Sequence, residues 1–259
     1  MGFSFAPPQG FGTATTTTIT GWFTVSGESP ARDWLAAAYD SNANLTYAID
    51  GCNDTSYFNT VTAYSHANNA WTAEASDSEA RYGPAAAYDS GANLTYAIGG
   101  YYGGDLASVT AYSHASNAWT AEASDPATVE GPGAAHDSSA NLTYSIDGNS
   151  LGAIYYLYGY SHASNAWTAE ANDTTARYEL AAAYDSNANL TYAIDGYNGT
   201  SFFNTVTAYS HASNAWTAEV GDSIARGYLA AAYDSGANLT YAIDGYNGSY
   251  LSAVSAYAS

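Results

Sequence analysis

The stretch AAAYDSNANLTYAIDG, residues 36–51, decides how the rest of the chain is read. It returns as AAAYDSGANLTYAIGG at 85–100, GAAHDSSANLTYSIDG at 133–148, AAAYDSNANLTYAIDG at 181–196 and AAAYDSGANLTYAIDG at 230–245. Its marker positions are Tyr39, Tyr88, His136, Tyr184 and Tyr233, spaced by 49, 48, 48 and 49 residues. Trp22, Trp71, Trp119, Trp167 and Trp216 keep the same beat. A period of this length over several copies signals a repeat architecture, in which each unit buries its apolar face only against its neighbours.

Each unit divides into four short runs with strand character. The first is the small-residue run Ala36–Asp40, the second Leu45–Ile49, the third 61–64 and the fourth 71–75, with Asn, Ser and Gly between them. Four strands in 40–50 residues are the pattern of a propeller blade. An alanine-rich first strand suits the axis, where five strands converge and only small side chains fit. The expected fold is therefore all-β, a five-bladed β-propeller with four-stranded blades. Residues 1–12 read as a tail and 13–259 as the propeller. Trp22 opens a fourth strand with no blade before it, and the last unit stops after its third strand at Tyr257. The N-terminal strand is thus expected to complete the last blade and close the ring, which removes two exposed edges.

The Tyr–Trp pairs Tyr64/Trp71, Tyr112/Trp119, Tyr160/Trp167 and Tyr209/Trp216, each with six residues between them, and the diglycine Gly99-Gly100 resemble the kelch repeat. At the other diglycine positions Asp50, Asp147, Asp195 and Asp244 precede the glycine. The resemblance spans roughly residues 20–257 and implies the propeller fold. It implies no single function, because propellers host enzymes, lectins and scaffolds.

Composition narrows the partners. The chain has 259 residues, 26 of them tyrosine, and a net charge of −20 that comes from missing bases: four arginines and no lysine. Such a surface repels polyanions at long range, so nucleic acid and membrane insertion are not expected. No apolar run reaches the length of a membrane helix. One cysteine, Cys52, excludes an internal disulfide. The first residues lack the basic start and apolar stretch of an export signal. The composition suits an extracellular or virion-surface setting.

The turns divide into two faces. The first-to-second and third-to-fourth loops are nearly invariant, DSNANLTY and SHASNAW, whereas the second-to-third loops and inter-blade segments vary. The varied loops mix Tyr with Asn, Gly and Ser, a combination that supplies rigid contacts and adaptable hydrogen bonds. Candidate ligand contacts are Tyr57, Tyr101, Tyr102, Tyr197, Asn198, Tyr246, Asn247 and Tyr250. The competing reading is that these residues only make tight turns.

Arg32, Arg81, Arg177 and Arg226 all stand ten residues after a Trp, with Val129 in the third unit, and each follows an acid at Glu28, Asp77, Asp173 or Asp222. They could grip a sialylated or sulfated sugar. The nearby acids favour ion pairs within the loop instead. His66, His114, His162 and His211 belong to the third-to-fourth turns, too far apart to share a metal and expected to cap those turns through hydrogen bonds, and His136 is expected to face the channel. The Asn-Leu-Thr triplets at Asn44, Asn93, Asn141, Asn189 and Asn238 are glycosylation acceptors and equally good turn formers. No catalytic pair, metal site or cofactor motif stands out. The expected function is non-enzymatic recognition or adhesion, through binding of a glycan or host-surface protein. The alternatives are a structural piece of a virion or surface layer, and a glycan-cleaving enzyme.

Overall fold

The computed structural model describes residues 24–53 and 55–259. It is an all-β propeller of five blades around one axis. Blade 1 comprises Ala36–Asp40, Leu45–Ile49, Val61–Ser65 and Ala70–Ala73, hydrogen-bonded in that order as an antiparallel meander. The inner strands of the next four blades are Ala85–Asp89, Gly133–Asp137, Ala181–Asp185 and Ala230–Asp234. Blades 2 to 4 repeat the four-stranded order. Blade 5 shows three strands among the described residues, ending with Val254–Ala258. The expected closing strand at Trp22 and the expected tail at 1–12 lie outside the described residues.

The invariant loops are invariant because they build the blades. Asp40 Oδ1 accepts from the backbone of Asn42 (2.8 Å) and Ala43 (3.0 Å), and Asp89, Asp137, Asp185 and Asp234 do the same in their own turns. Asn44 and its four equivalents take φ between 55° and 58°, the left-handed region that Asn tolerates best after Gly. The Asn of SHASNAW has a longer reach. Asn117 Oδ1 accepts from Tyr112 Oη (2.9 Å) within blade 2 and from Ala75 N (2.8 Å) leaving blade 1. Trp119 Nε1 then donates to Ala75 O (2.8 Å). The same pair of clamps recurs through Asn165/Trp167 on Ala123 and Asn214/Trp216 on Ala171.

The apolar core lies between blades. Tyr47, Ile49, Val61 and Ala63 of blade 1 pack on Ala97, Tyr112 and Trp119 of blade 2, and three similar clusters follow at the next three junctions. Adjacent inner strands pack at each of these four junctions. His136 points into a junction rather than the channel: its Nε2 lies 3.4 Å from Asp89 of the preceding blade and its Nδ1 3.0 Å from Thr143. Burial lowers its pKa. His66 and His114 bond Thr46 and Thr95 on neighbouring second strands (2.9 Å each), so they tie strands rather than cap their own turns.

Candidate functional site

At one end of the axis the five inter-blade segments meet. The residue twelve places after each Trp arrives there: Trp34, Gly83, Gly131, Glu179 and Tyr228, all with φ between 52° and 62°. They are strung together by backbone bonds from Gly83 N to Trp34 O (2.9 Å), Gly131 N to Gly83 O (3.0 Å), Glu179 N to Gly131 O (2.8 Å) and Tyr228 N to Glu179 O (2.8 Å). A non-glycine residue in this conformation is uncommon, and three of the five positions carry large side chains despite that cost. The second-to-third loops lie on the same face, through bridges such as Tyr82 to Tyr101, Glu130 to Asn149, Tyr178 to Tyr197 and Gly227 to Tyr246.

These residues surround a cavity of about 770 Å3, lined in part by Trp34, Glu179, Tyr228, Tyr246 and Tyr250. The Glu179 carboxyl folds over Gly131 so closely that a Cβ there would fall 2.4 Å from Glu179 Oε1. Burial, followed by the charge of Glu130, pushes Glu179 up to about 8. At neutral pH this acid is mostly protonated and offers both a donor and an acceptor to the cavity.

Aromatic rings extend from the cavity in a connected belt. Tyr57 stacks on Tyr82 (5.3 Å) and meets Tyr101 (6.5 Å) and Tyr102 (5.5 Å). Tyr82 touches Trp34 (5.1 Å), Trp34 touches Tyr228 (5.1 Å), and Tyr228 touches Tyr246 (6.2 Å). The belt ends with Tyr246 on Tyr250 (5.4 Å) and on Phe202 (5.8 Å), which stacks on Tyr197 (4.6 Å). The six tyrosines singled out from the sequence therefore fall into two groups, on blades 1–2 and blades 4–5. Trp34, Tyr82, Tyr228 and Phe202 join them. Tyr102 and Tyr250 are the most exposed, at 58% and 93%. Asn198 spends its side chain inside its own loop, where Oδ1 accepts from Thr200 N (3.0 Å) and Ser201 N (2.9 Å), and Asn247 Nδ2 ties its loop to the inter-blade segment by donating to Ala225 O (3.2 Å).

The joining residues and Glu179 were not singled out from the sequence, although the signal was present. Position twelve after Trp reads Trp, Gly, Gly, Glu and Tyr across the five copies, and position eleven, just before it, reads Asp, Tyr, Glu, Tyr and Gly.

The arginines are not part of this surface. Arg81, Arg177 and Arg226 are fully buried. Arg177 meets Asp147 (3.2 Å) and Asp173 (2.6 Å) and donates to the carbonyls of Asp195 (3.1 Å) and Thr205 (3.0 Å). Arg81 with Asp50 and Asp77, and Arg226 with Asp195 and Asp222, repeat the arrangement. Where the third unit has Val129 instead of Arg, its partner across the junction is Gly99 instead of Asp, and Gly100 N still bonds Val129 O (2.7 Å). The cation and the acid of the Asp-Gly pair were lost together, while Asp125, the equivalent of Asp77 and Asp173, stays buried with its pKa raised by burial. Sequestered in this way, the arginines leave nothing to grip an anion. Among the described residues, no three His, Cys, Asp or Glu side chains gather as metal ligands would.

No protein-family model matches this chain, and no curated protein matches it in sequence. Among solved structures, one described as the structure of YjhT superposes with a TM-score of 0.77 over 95% of this chain and 87% of its own, at 13% identity. That likeness supports the propeller fold and nothing finer.

Proposed function

We propose that this protein is a non-enzymatic recognition propeller that binds an uncharged glycan over the axial cavity and its tyrosine belt. The observation that carries this reading is the concentration of sequence variation, aromatic rings and a proton-bearing carboxyl at one end of the axis. Ring faces pack against the apolar faces of sugar rings, while Tyr hydroxyls and Glu179 pair with sugar hydroxyls. Acidic sugars are disfavoured, since the net charge is −20 and the arginines are consumed in buried pairs. The kelch-like repeat supplies the scaffold, and an extracellular or virion surface is the setting that suits adhesion to a glycan or a glycosylated host protein.

The test is a glycan array at low and high salt, followed by titration of hits against Trp34→Ala and Tyr246→Ala. Saturable binding to neutral glycans that both substitutions weaken supports the proposal. Binding confined to sialylated or sulfated glycans, or none at all, rejects it and leaves a structural role. A second reading rests on Glu179, which lines the cavity with its pKa raised, and on Glu130, whose charge acts on it. Such a pair is the minimum for glycoside hydrolysis. Turnover of a bound glycan, abolished by Glu179→Gln while binding persists, would establish it.

A further inference from the structure

The junction between blades 2 and 3 keeps an acid that its neighbours pair with arginine, and it lacks the arginine. At the two flanking junctions Arg81 and Arg177 are held by Asp77 and Asp173. They also donate to hydroxyls on the third strand of the next blade, Arg81 to Ser108 and Thr110, Arg177 to Thr205 and Thr207. Between blades 2 and 3 the equivalent acid is Asp125, the arginine position is Val129, and the two hydroxyl positions carry Tyr156 and Tyr158. Tyr155, beside them, stands where blades 1 and 4 have Asn59 and Asn204.

Val129 does not replace the guanidinium. A valine side chain ends at Cγ, well short of where a guanidinium would begin. This one leans on Gly99, where an added Cβ would fall 2.6 Å from Val129 Cγ2, and so takes the room of the side chain that Gly99 lacks. Asp125 is left without a counter-charge. It is only 3% exposed; its Oδ1 accepts from Ala127 N (2.9 Å), and its buried Oδ2 has no hydrogen-bond partner. Ser145, where the other four units have alanine, adds a hydroxyl beside the carboxyl. Tyr158 is near enough for the Asp125 charge, after burial, to raise its pKa, yet no hydrogen bond joins the two side chains. A buried carboxyl oxygen with no partner is costly and calls for an explanation.

Aromatic rings lead from the surface toward this acid. Tyr155 and Tyr156 are 46% and 39% exposed with centroids 5.6 Å apart, and Tyr156 meets the half-buried Tyr158 at 6.0 Å. Tyrosine faces attract organic cations, more strongly where water is excluded. A guanidinium is planar and weakly hydrated, so it can stack on a ring and pair with a carboxylate at the same time. The net charge of −20 draws cations toward the surface from a distance.

We propose that the junction of blades 2 and 3 is a binding site for a guanidinium group supplied from outside the chain, which stacks on Tyr156 and Tyr158 and pairs with Asp125 Oδ2. The ligand does here what Arg81 and Arg177 do at the two junctions beside it. Because Oδ2 is closed to solvent, the Tyr158 ring turns aside to admit it. None of these residues lines the axial cavity, so the site is separate from the one proposed for glycans.

The test is an NMR titration of the full chain with methylguanidinium chloride, at constant ionic strength, against its neutral isostere methylurea. Saturable shifts of the Tyr156 and Tyr158 ring signals are expected with methylguanidinium and none with methylurea. Asp125→Asn keeps the Ala127 bond and should weaken binding about tenfold or more. Tyr156→Ala, at an exposed ring, should weaken it about threefold. Trp34→Ala, in the axial cavity, should leave it unchanged. A short peptide with one arginine between glycines then identifies the source. Tighter binding than methylguanidinium assigns the group to a partner protein, and equal binding to a small free cation; both uphold the site. Affinity that survives Asp125→Asn, shifts spread over the acidic surface without saturation, or equal binding of methylurea would each overturn the proposal.

Discussion

Asp195→Asn should stabilise the protein, although it removes one acid of a buried ion pair. Arg226 meets two carboxyls, Asp195 through Nε at 3.1 Å and Asp222 through Nη2. One positive charge cannot balance two negative ones in a site closed to water. The second charge is relieved by retaining a proton. Burial, then the charge of Asp222, pushes Asp195 up to about 8. An unfolded Asp titrates near 4, so holding the proton at pH 7 costs roughly three pKa units, about 4 kcal/mol at most. An asparagine is neutral in both states and avoids that cost. Its Oδ1 can accept from Arg226 Nε while its Nδ2 donates to Asp222, the contact the protonated acid makes.

The sign follows from linkage. With a raised pKa the folded state binds more protons than the unfolded state between about pH 4 and pH 8, so stability falls as pH rises through that window. Urea unfolding followed by tryptophan fluorescence, at pH values from 5 to 9, measures both quantities. The expected result at pH 7 is a gain of about 1–4 kcal/mol for Asp195→Asn, together with a shallower decline of stability with pH. A loss of stability with an unchanged pH slope would refute the reasoning, because Asp195 would then be ionised and fully balanced by Arg226.

Arg177→Met should cost about 3–5 kcal/mol, measured by the same urea titration, because it strands Asp147 and Asp173 without a counter-charge. Adding Asp147→Gly to Arg177→Val, which copies the Gly99/Val129 junction, should recover part of that loss. Asn117→Ala should cost about 3 kcal/mol, since it forfeits one hydrogen bond within blade 2 and one that joins blades 1 and 2, and places Ala at φ 49°. Asn117→Gly should cost about 1 kcal/mol less, because glycine accepts that φ. Affinity for a neutral glycan, followed by calorimetry, should fall as pH rises through about 8 and Glu179 loses its proton. Glu179→Gln should flatten that dependence.

The architecture was legible because the period repeats and because each invariant residue serves the same contact in every copy. Asp40, Asn44, Asn69 and Trp71 are read correctly as turn and strand markers from their spacing alone. What spacing does not reveal is the reach of a side chain into the next blade. Asn117 looks like a local turn residue, yet one of its bonds goes to Ala75, 42 positions earlier. The arginine ring was ambiguous for the same reason. Its nearest acid in sequence, at i−4, supplies half of the pairing, while the Asp-Gly carboxyl that completes it lies 30 or 31 residues away. At the axis the limitation was different. Trp34, Glu179 and Tyr228 sit in segments of constant length but varied content, so no motif flags them, and only their common distance from Trp shows that they converge.

That convergence bears on how a repeat protein acquires a single site. Identical blades present identical groups around the axis, and a symmetric ring of weak contacts selects poorly among ligands. Here the backbone is kept uniform, with the same left-handed turn at all five axial positions and the same bond to the preceding one at the four that follow Trp34. The side chains it delivers are Trp, Gly, Gly, Glu and Tyr. The two adjacent glycines leave room, the acid closes over one of them, and the two aromatics stand side by side where the last blade meets the first. The asymmetry of the cavity is therefore written in five residues whose backbone the fold already fixes. Exchanging Gly83 for a larger residue should close the cavity without unfolding the ring, provided the newcomer tolerates a positive φ, as Asn does. Gly83→Asn, with a neighbour 3.5 Å from its Cβ position, tests this directly. Retained stability with lost ligand binding would locate function at the axis, whereas retained binding would place it on the outer tyrosines alone.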